Sequence, residues 1–235
     1  MNEVIRLKYM KTFAPFYLLL IGAMVVTVLW SDQAITVMSE SAPLSDRRCI
    51  IIDAGHGGVD GGATSCTGVL ESQINLEISL RLNDLCHLLG METKMIRTTD
   101  ISVYTEGQTI SQKKVSDLKH RVQIINETPN ATVISIHQNY FSDGKYSGAQ
   151  VFYPKDETSC RLAEAMQLAF GVTGSTRIAK PSQGVYLMEH IRCPGVLVEC
   201  GFLSNPQEEA KLRSPEYQKL LCCVIVSTLS TAGNA

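Results

Sequence analysis

From residue 49 onward, short apolar runs alternate with longer stretches whose apolar residues recur every three or four positions. CIIID, residues 49–53, reads as a short buried strand. In ESQINLEISLRLNDLCHLLG, residues 71–90, Ile74, Ile78, Leu82, Leu85 and Leu89 fall at helical spacing, and Gly90 stands where a C-cap belongs. METKMIRTTD (91–100) supplies a second strand. KKVSDLKHRVQIINET (113–128) has Val115, Leu118, Val122 and Ile125 on one helical face. ATVISIH (131–137) and GAQVFYP (148–154) read as strands, SCRLAEAMQLAFG (159–171) as a helix, and PGVLVECGF (194–202) as another buried strand. Residues 205–232 close the chain with a short helix and a longer one, Pro206 taking the first helical position after an Asn205 cap.

Strands alternating with helices predict an α/β fold, a three-layer sandwich with helices on both faces of a mostly parallel sheet. In such sheets ligands bind beyond the carboxyl ends of the strands. That rule points to His56 after the first strand, His137 ending VISIH, and Glu199 ending VLVE.

The N-terminal part has a different pattern. FAPFYLLLIGAMVVTVLW, residues 13–30, carries no charge and follows Arg6, Lys8 and Lys11. It is just long enough to span a bilayer, and the flanking positive charge predicts an exported body. It reads as a signal segment or membrane anchor. Its length and the lack of an A-x-A site favour a retained anchor. Residues 31–48 are polar, carry one proline and read as a linker, which leaves 49–235 as the folded domain.

The hydrophobic fraction of 45% is that of a globular chain, and the net charge of −2 offers no basic face for a nucleic acid, so none is expected as partner. The eight cysteines show no C-x-x-C spacing, and several lie in apolar runs. They read as mostly free, buried residues acting as small hydrophobes.

The stretch IIIDAGHGGVDGGATS, residues 50–65, carries the candidate chemistry. A dinucleotide cradle needs G-x-G-x-x-G; Gly55 and Gly57 match, but Asp60 occupies the third position. There is no G-K-[ST] and no G-x-S-x-G elbow. Cys200 lies beside Glu199 with no histidine tied to it in sequence and reads as a packing residue. A hydrolytic zinc site fits better, since it takes three His or carboxylate ligands and leaves one position open. His56 and His137 supply two ligands, Glu71 at the start of the first helix a third, and Glu199 remains for acid–base work. The same residues are open to a structural reading. A lone histidine is often a satisfied packing residue, and Glu71 at a helix N-terminus suits the dipole. Spacing alone does not choose, because no H-E-x-x-H is present. His87, His120 and His190 read as structural or surface residues.

IIIDAGHGGVDGGA, Glu71, RTTD, SIHQN, SGAQVFY and VLVECGFLSNP occur in this order. The series resembles the zinc-dependent N-acetylmuramoyl-L-alanine amidases of the amidase-3 family, over about residues 48–230. The resemblance implies a single α/β domain with a six-stranded sheet. It also implies zinc bound by His56, Glu71 and His137, Glu199 as the catalytic glutamate, and a supporting role for Arg121. Peptidoglycan glycan strands are the implied substrate. TEGQTISQKKVSDLKHRVQIIN and GVYLMEHIRCPGVLVECGFLSNP are similar to the branch of the family that serves spore cortex assembly. That branch acts with a muramic acid deacetylase to form muramic-δ-lactam, in the space between the forespore membranes. An accessory protein supporting zinc binding is a further implied partner. Gln138 departs from the small or apolar residue common after the second histidine. The rival functions are a zinc peptidase cutting within the stem peptide and a non-catalytic wall-binding module.

Overall fold

A computed structural model describes residues 48–232. The proposed N-terminal anchor and most of the linker lie outside the described residues. Among the described residues no helix is long and apolar enough to cross a membrane.

The elements run β1 (Cys49–Ala54), α1 (Glu71–Leu88), β2 (Glu92–Met95), α2 (Ile110–Asn126), β3 (Ala131–Asn139), β4 (Gln150–Tyr153), α3 (Glu157–Ala169), β5 (Lys180–Pro181), α4 (Tyr186–His190), β6 (Gly195–Phe202), α5 (Pro206–Leu212) and α6 (Pro215–Ala232). The six strands form one sheet in the order β2-β1-β3-β6-β4-β5. All pairings are parallel except β4 with β6. Fold class and strand number are therefore as the sequence and the resemblance imply.

Alternation along the central strands divides the core. Ile50 and Ile52 of β1, Ile134 and Ile136 of β3, and Val196 and Val198 of β6 pack with Ile74, Ile78 and Leu82 of α1, Met166 of α3 and Ile225 of α6. Ile51, Val133 and Leu197 point the other way, onto Ile125 of α2 and Leu187 and Met188 of α4. Each central strand is apolar on both faces because helices cover both.

Two readings are corrected. α2 begins at Ile110, not Lys113, because Thr109 and Gln112 form a reciprocal capping box. Its buried face carries Ser116, Arg121 and Ile125, whereas Val115 and Leu118 are exposed. The inward residues serve backbone groups: Arg121 donates to the carbonyls of Ala54 and His56 at the end of β1, and Ser116 Oγ accepts from the N–H groups of Thr105 and Glu106. The cysteines also divide. All eight are free, but only Cys49, Cys86, Cys200 and Cys222 are buried, while Cys66 and Cys223 are exposed. The short β5 and α4 have too few residues for a period to register. Asn205 caps α5 as expected, accepting from the backbone N–H groups of Gln207 and Glu208 at 2.9 and 3.3 Å.

Candidate metal centre and active site

β1 ends at Ala54 and the chain turns sharply. His56 takes a left-handed φ of 59°, a conformation that costs a non-glycine residue about 1–2 kcal/mol. The turn is closed by Gly57 and Asp60, which exchange backbone hydrogen bonds of 2.7 and 3.1 Å. Two buried arginines hold it from below. Arg121 donates to the carbonyls of Ala54 and His56 at 2.9 and 2.7 Å and pairs with the buried Asp53. Arg97 donates to the carbonyls of Ala54, Gly55, Ser72 and Thr99. Backbone oxygens that a strand would otherwise bury unpaired thereby find partners.

Glu71 is the first residue of α1, whose N-cap, Leu70, offers no side-chain oxygen. The loop caps the helix instead, as Glu71 and Ser72 donate their N–H groups to the carbonyls of Ala63 and Gly61 at 2.8 and 3.1 Å. The Glu71 carboxylate is buried and takes donors from several elements. Oε2 accepts from the Ala63 N–H at 2.9 Å; Oε1 accepts from the Gln138 N–H at 3.1 Å and Asn75 Nδ2 at 3.3 Å. His56 Nε2 lies 3.3 Å from Oε2, and His137 Nδ1 lies 3.0 Å from Oε1. One donor atom from each of His56, Glu71 and His137 lies within 4.8 Å of the others.

This donor set suits zinc. Ligands about 2.0–2.1 Å from one tetrahedral ion stand about 3.4 Å apart, close to the two His–Glu contacts seen here. The far nitrogen of His56, Nδ1, meets Asp60 Oδ2 at 2.8 Å, and Lys114 Nζ meets Asp60 Oδ1 at 2.7 Å. A carboxylate behind a ligating imidazole orients the ring and raises its basicity. The pKa values of His56 and Glu71 move in opposite directions. Burial alone would lower the His56 pKa, but Asp60 and Glu71 outweigh it and raise it to about 9. Burial alone would raise the Glu71 pKa, yet His137 and His56 hold it well below the carboxylate range.

Glu199 sits directly opposite His137 in the β3–β6 register. Its Oε2 is enclosed and has no hydrogen-bond partner among the described residues. Burial, with a smaller contribution from Glu71, raises its pKa to about 7 against the opposing pull of His137. A carboxyl oxygen with no partner beside three potential ligands is unexplained by packing, and the group is suited to carrying a proton.

The structure thus gathers all four residues singled out in the sequence. The three remaining histidines fall outside, bonded to Thr93, the Val103 carbonyl and the Tyr186 carbonyl respectively. Sequence reasoning missed Asp60 as the partner of His56, Asn75 as the bridge from Glu71 to the Gly55 carbonyl, and Arg97. It also missed a pair of buried acids, Glu208 and Glu209. Glu208 accepts from the Gly148 N–H at 2.8 Å; Glu209 accepts from the hydroxyls of Ser65, at 2.8 Å, and Thr67. Together they tie α5 to the loop that precedes α1 and to the segment that precedes β4. The only signal was a charged pair in the first turn of a helix, where solvent exposure is the usual expectation.

Residues 50–230 match the Amidase_3 family, described as N-acetylmuramoyl-L-alanine amidase. The chain belongs to this family. It is a peptidoglycan amidase, and its fold is that of solved amidases. The germination-specific N-acetylmuramoyl-L-alanine amidase of Bacillus subtilis (strain 168) is 40% identical over 182 residues, which is 76% of each chain. The CwlD amidase of Clostridioides difficile, solved in complex with the GerS lipoprotein, superposes with a TM-score of 0.77 at 36% identity, covering 80% of this amidase and 99% of that chain. An N-acetylmuramoyl-L-alanine amidase from Clostridium difficile 630 gives a TM-score of 0.69 at 28% identity, over 81% of this amidase and 98% of that chain.

Proposed function

We propose that this amidase cleaves the bond between the lactyl group of N-acetylmuramic acid and L-alanine with a zinc ion held by His56, Glu71 and His137, and that Glu199 carries the proton. The observation that supports this most is the convergence of those three donors, within 4.8 Å, next to a carboxyl whose Oε2 has no partner. Zinc supplies Lewis acidity, which activates water and polarises the scissile carbonyl.

The chain's own residues do the rest. Asp60 Oδ2 accepts a hydrogen bond from His56 Nδ1–H, which leaves Nε2 to face the centre. Asn75 and the N–H groups of Ala63 and Gln138 fix both oxygens of Glu71, so the carboxylate does not swing. Glu199 Oε2 accepts a proton as water adds to the carbonyl carbon and returns it to the departing nitrogen. With its pKa raised to about 7 by burial, Glu199 is divided between its two protonation states at neutral pH and can both take and return a proton.

The likeness to a germination-specific relative supports a role in spore cortex, where removal of the peptide precedes deacetylation and muramic-δ-lactam formation. This reading places the domain outside the cytoplasm, behind an N-terminal signal or anchor at residues 1–30, with residues 31–48 as linker and 49–235 as the catalytic unit. The lipoprotein-bound relative supports an accessory protein as partner, and a muramic acid deacetylase is the proposed next enzyme in the pathway.

Glu199→Gln tests the assignment. The variant is expected to bind zinc as the wild type does and to lose peptide release by about 10²–10⁴-fold. Spores relying on it are expected to lack δ-lactam. Wild-type turnover by the variant, or fragments cut within the stem peptide in place of free L-alanine amino termini, defeats the proposal.

A further inference from the structure

The site runs across the sheet. His56 follows β1, His137 lies on β3 and Glu199 on β6. Beyond β6 come β4 and β5. There a cavity of about 500 Å³ opens, with Glu199 in its wall. Phe152 of β4, Leu197 of β6, Val185 and Phe141 make it apolar, and Lys180 of β5 also lines it. Phe141 is braced on the buried Phe202, ring centroids 5.4 Å apart. Lys180 is exposed and forms no ion pair with the described residues. Apart from Glu199, it is the only charged side chain lining the cavity among the described residues.

Proton bookkeeping gives this cavity a direction. In amide hydrolysis a C–O bond forms from water, the C–N bond breaks, and the nitrogen leaves with a proton. On the proposed reading Glu199 delivers that proton, so the nitrogen lies on the Glu199 side and the acyl half lies towards His56. The peptide that departs with the nitrogen then extends over β4 and β5, into the cavity. Apolar walls suit the alanyl methyl. A lone ammonium beyond them suits an anion.

We propose that this cavity is the leaving-peptide subsite and that Lys180 selects substrates bearing a carboxylate on the residue after L-alanine. The inference rests on the assignment of Glu199 as proton carrier. It adds the orientation of the substrate across the strands and a specificity determinant outside the metal centre.

The test uses the zinc-loaded amidase and two synthetic muramoyl-L-alanyl dipeptides, one ending in an acidic residue and one with that carboxyl amidated. Wild type is expected to favour the acidic substrate in kcat/KM by about five- to tenfold, as one charge-assisted contact at a half-open site allows. Lys180→Ala should remove the preference by raising KM for the acidic substrate, with the amidated one unchanged. Lys180→Glu should reverse it. Lys180 has no side-chain partner to lose among the described residues, so both variants are expected to fold. A Lys180→Ala enzyme that keeps the wild-type preference overturns the subsite. A wild type that releases no alanyl peptide from either substrate overturns the reaction itself, and the subsite with it.

Discussion

Gly55 has no side chain, and the position of His137 depends on that. A methyl group at residue 55 would lie 2.2 Å from His137 Nε2, 2.3 Å from Cε1 and 2.7 Å from Cδ2. Carbon contacts are comfortable only from about 3.5 Å, so one side must retreat by about 1 Å. The backbone is not free to do so. The Gly55 N–H donates to the Ile136 carbonyl at 3.0 Å, and its own carbonyl accepts from Asn75 and Arg97, each at 3.1 Å. The imidazole therefore moves, and its contact with Glu71 is lost. Gly55→Ala is expected to lower zinc affinity about 10–100-fold and kcat/KM about 10²-fold, with about 1–3 kcal/mol of overpacking cost. Competition against a chelator measures the first, peptide release the second and urea denaturation the third. Gly171→Ala serves as control, because a methyl group there meets nothing within 4 Å. Zinc binding by Gly55→Ala within twofold of wild type would refute the argument.

Removing one partner of the buried Arg121–Asp53 pair strands the other. Arg121→Met is expected to cost about 3–5 kcal/mol, read by urea denaturation, and adding Asp53→Asn should recover part of it. An Arg121→Met protein as stable as wild type would show that Arg121 does not support the turn. The pH dependence has a definite sign. In the metal-free protein His56 is raised from 6.5 to about 9, so its contribution to stability is complete below pH 6.5 and is lost as pH rises through 9. Glu199 is raised from 4.5 to about 7, so its ionisation destabilises the fold over that window in the same direction. The metal-free Tm should therefore fall between pH 5 and 9, while the increment from added zinc should grow, since metal and proton compete for His56. A metal-free Tm that rises over this range would contradict the cluster as drawn.

Much of the fold was legible because the central strands and their covering helices follow simple periods. The runs CIIID, ATVISIH and PGVLVECGF are apolar on both faces, as fully covered parallel strands must be. α2 was harder to read, because its buried face carries Ser116 and Arg121, and a hydrophobic pattern has no mark for a polar residue turned inward to pair with backbone N–H or carbonyl groups. β5 escaped because two residues have no period. At the site, strand ends drew attention to His56, His137 and Glu199, and the helix start to Glu71. Asn75, Arg97, Glu208 and Glu209 did not stand out, since each acts on a group distant in the chain or on backbone, and Asp60 did not because it meets His56, four residues before it, only through the tight left-handed turn at that histidine.

The sequence by itself determined the alternation of strands and helices, the family, and the four side chains at the strand and helix ends, because those follow from local period and ordered motifs. Only the tertiary structure decided which nitrogen of each histidine faces Glu71, that the carboxyl of Glu199 has one oxygen without a partner, and that a cavity bearing Lys180 continues the site past β6. Those facts depend on distances between residues as far apart in the chain as His56 and Glu199, and folding sets such distances through sheet order and register, which no run of neighbouring residues encodes.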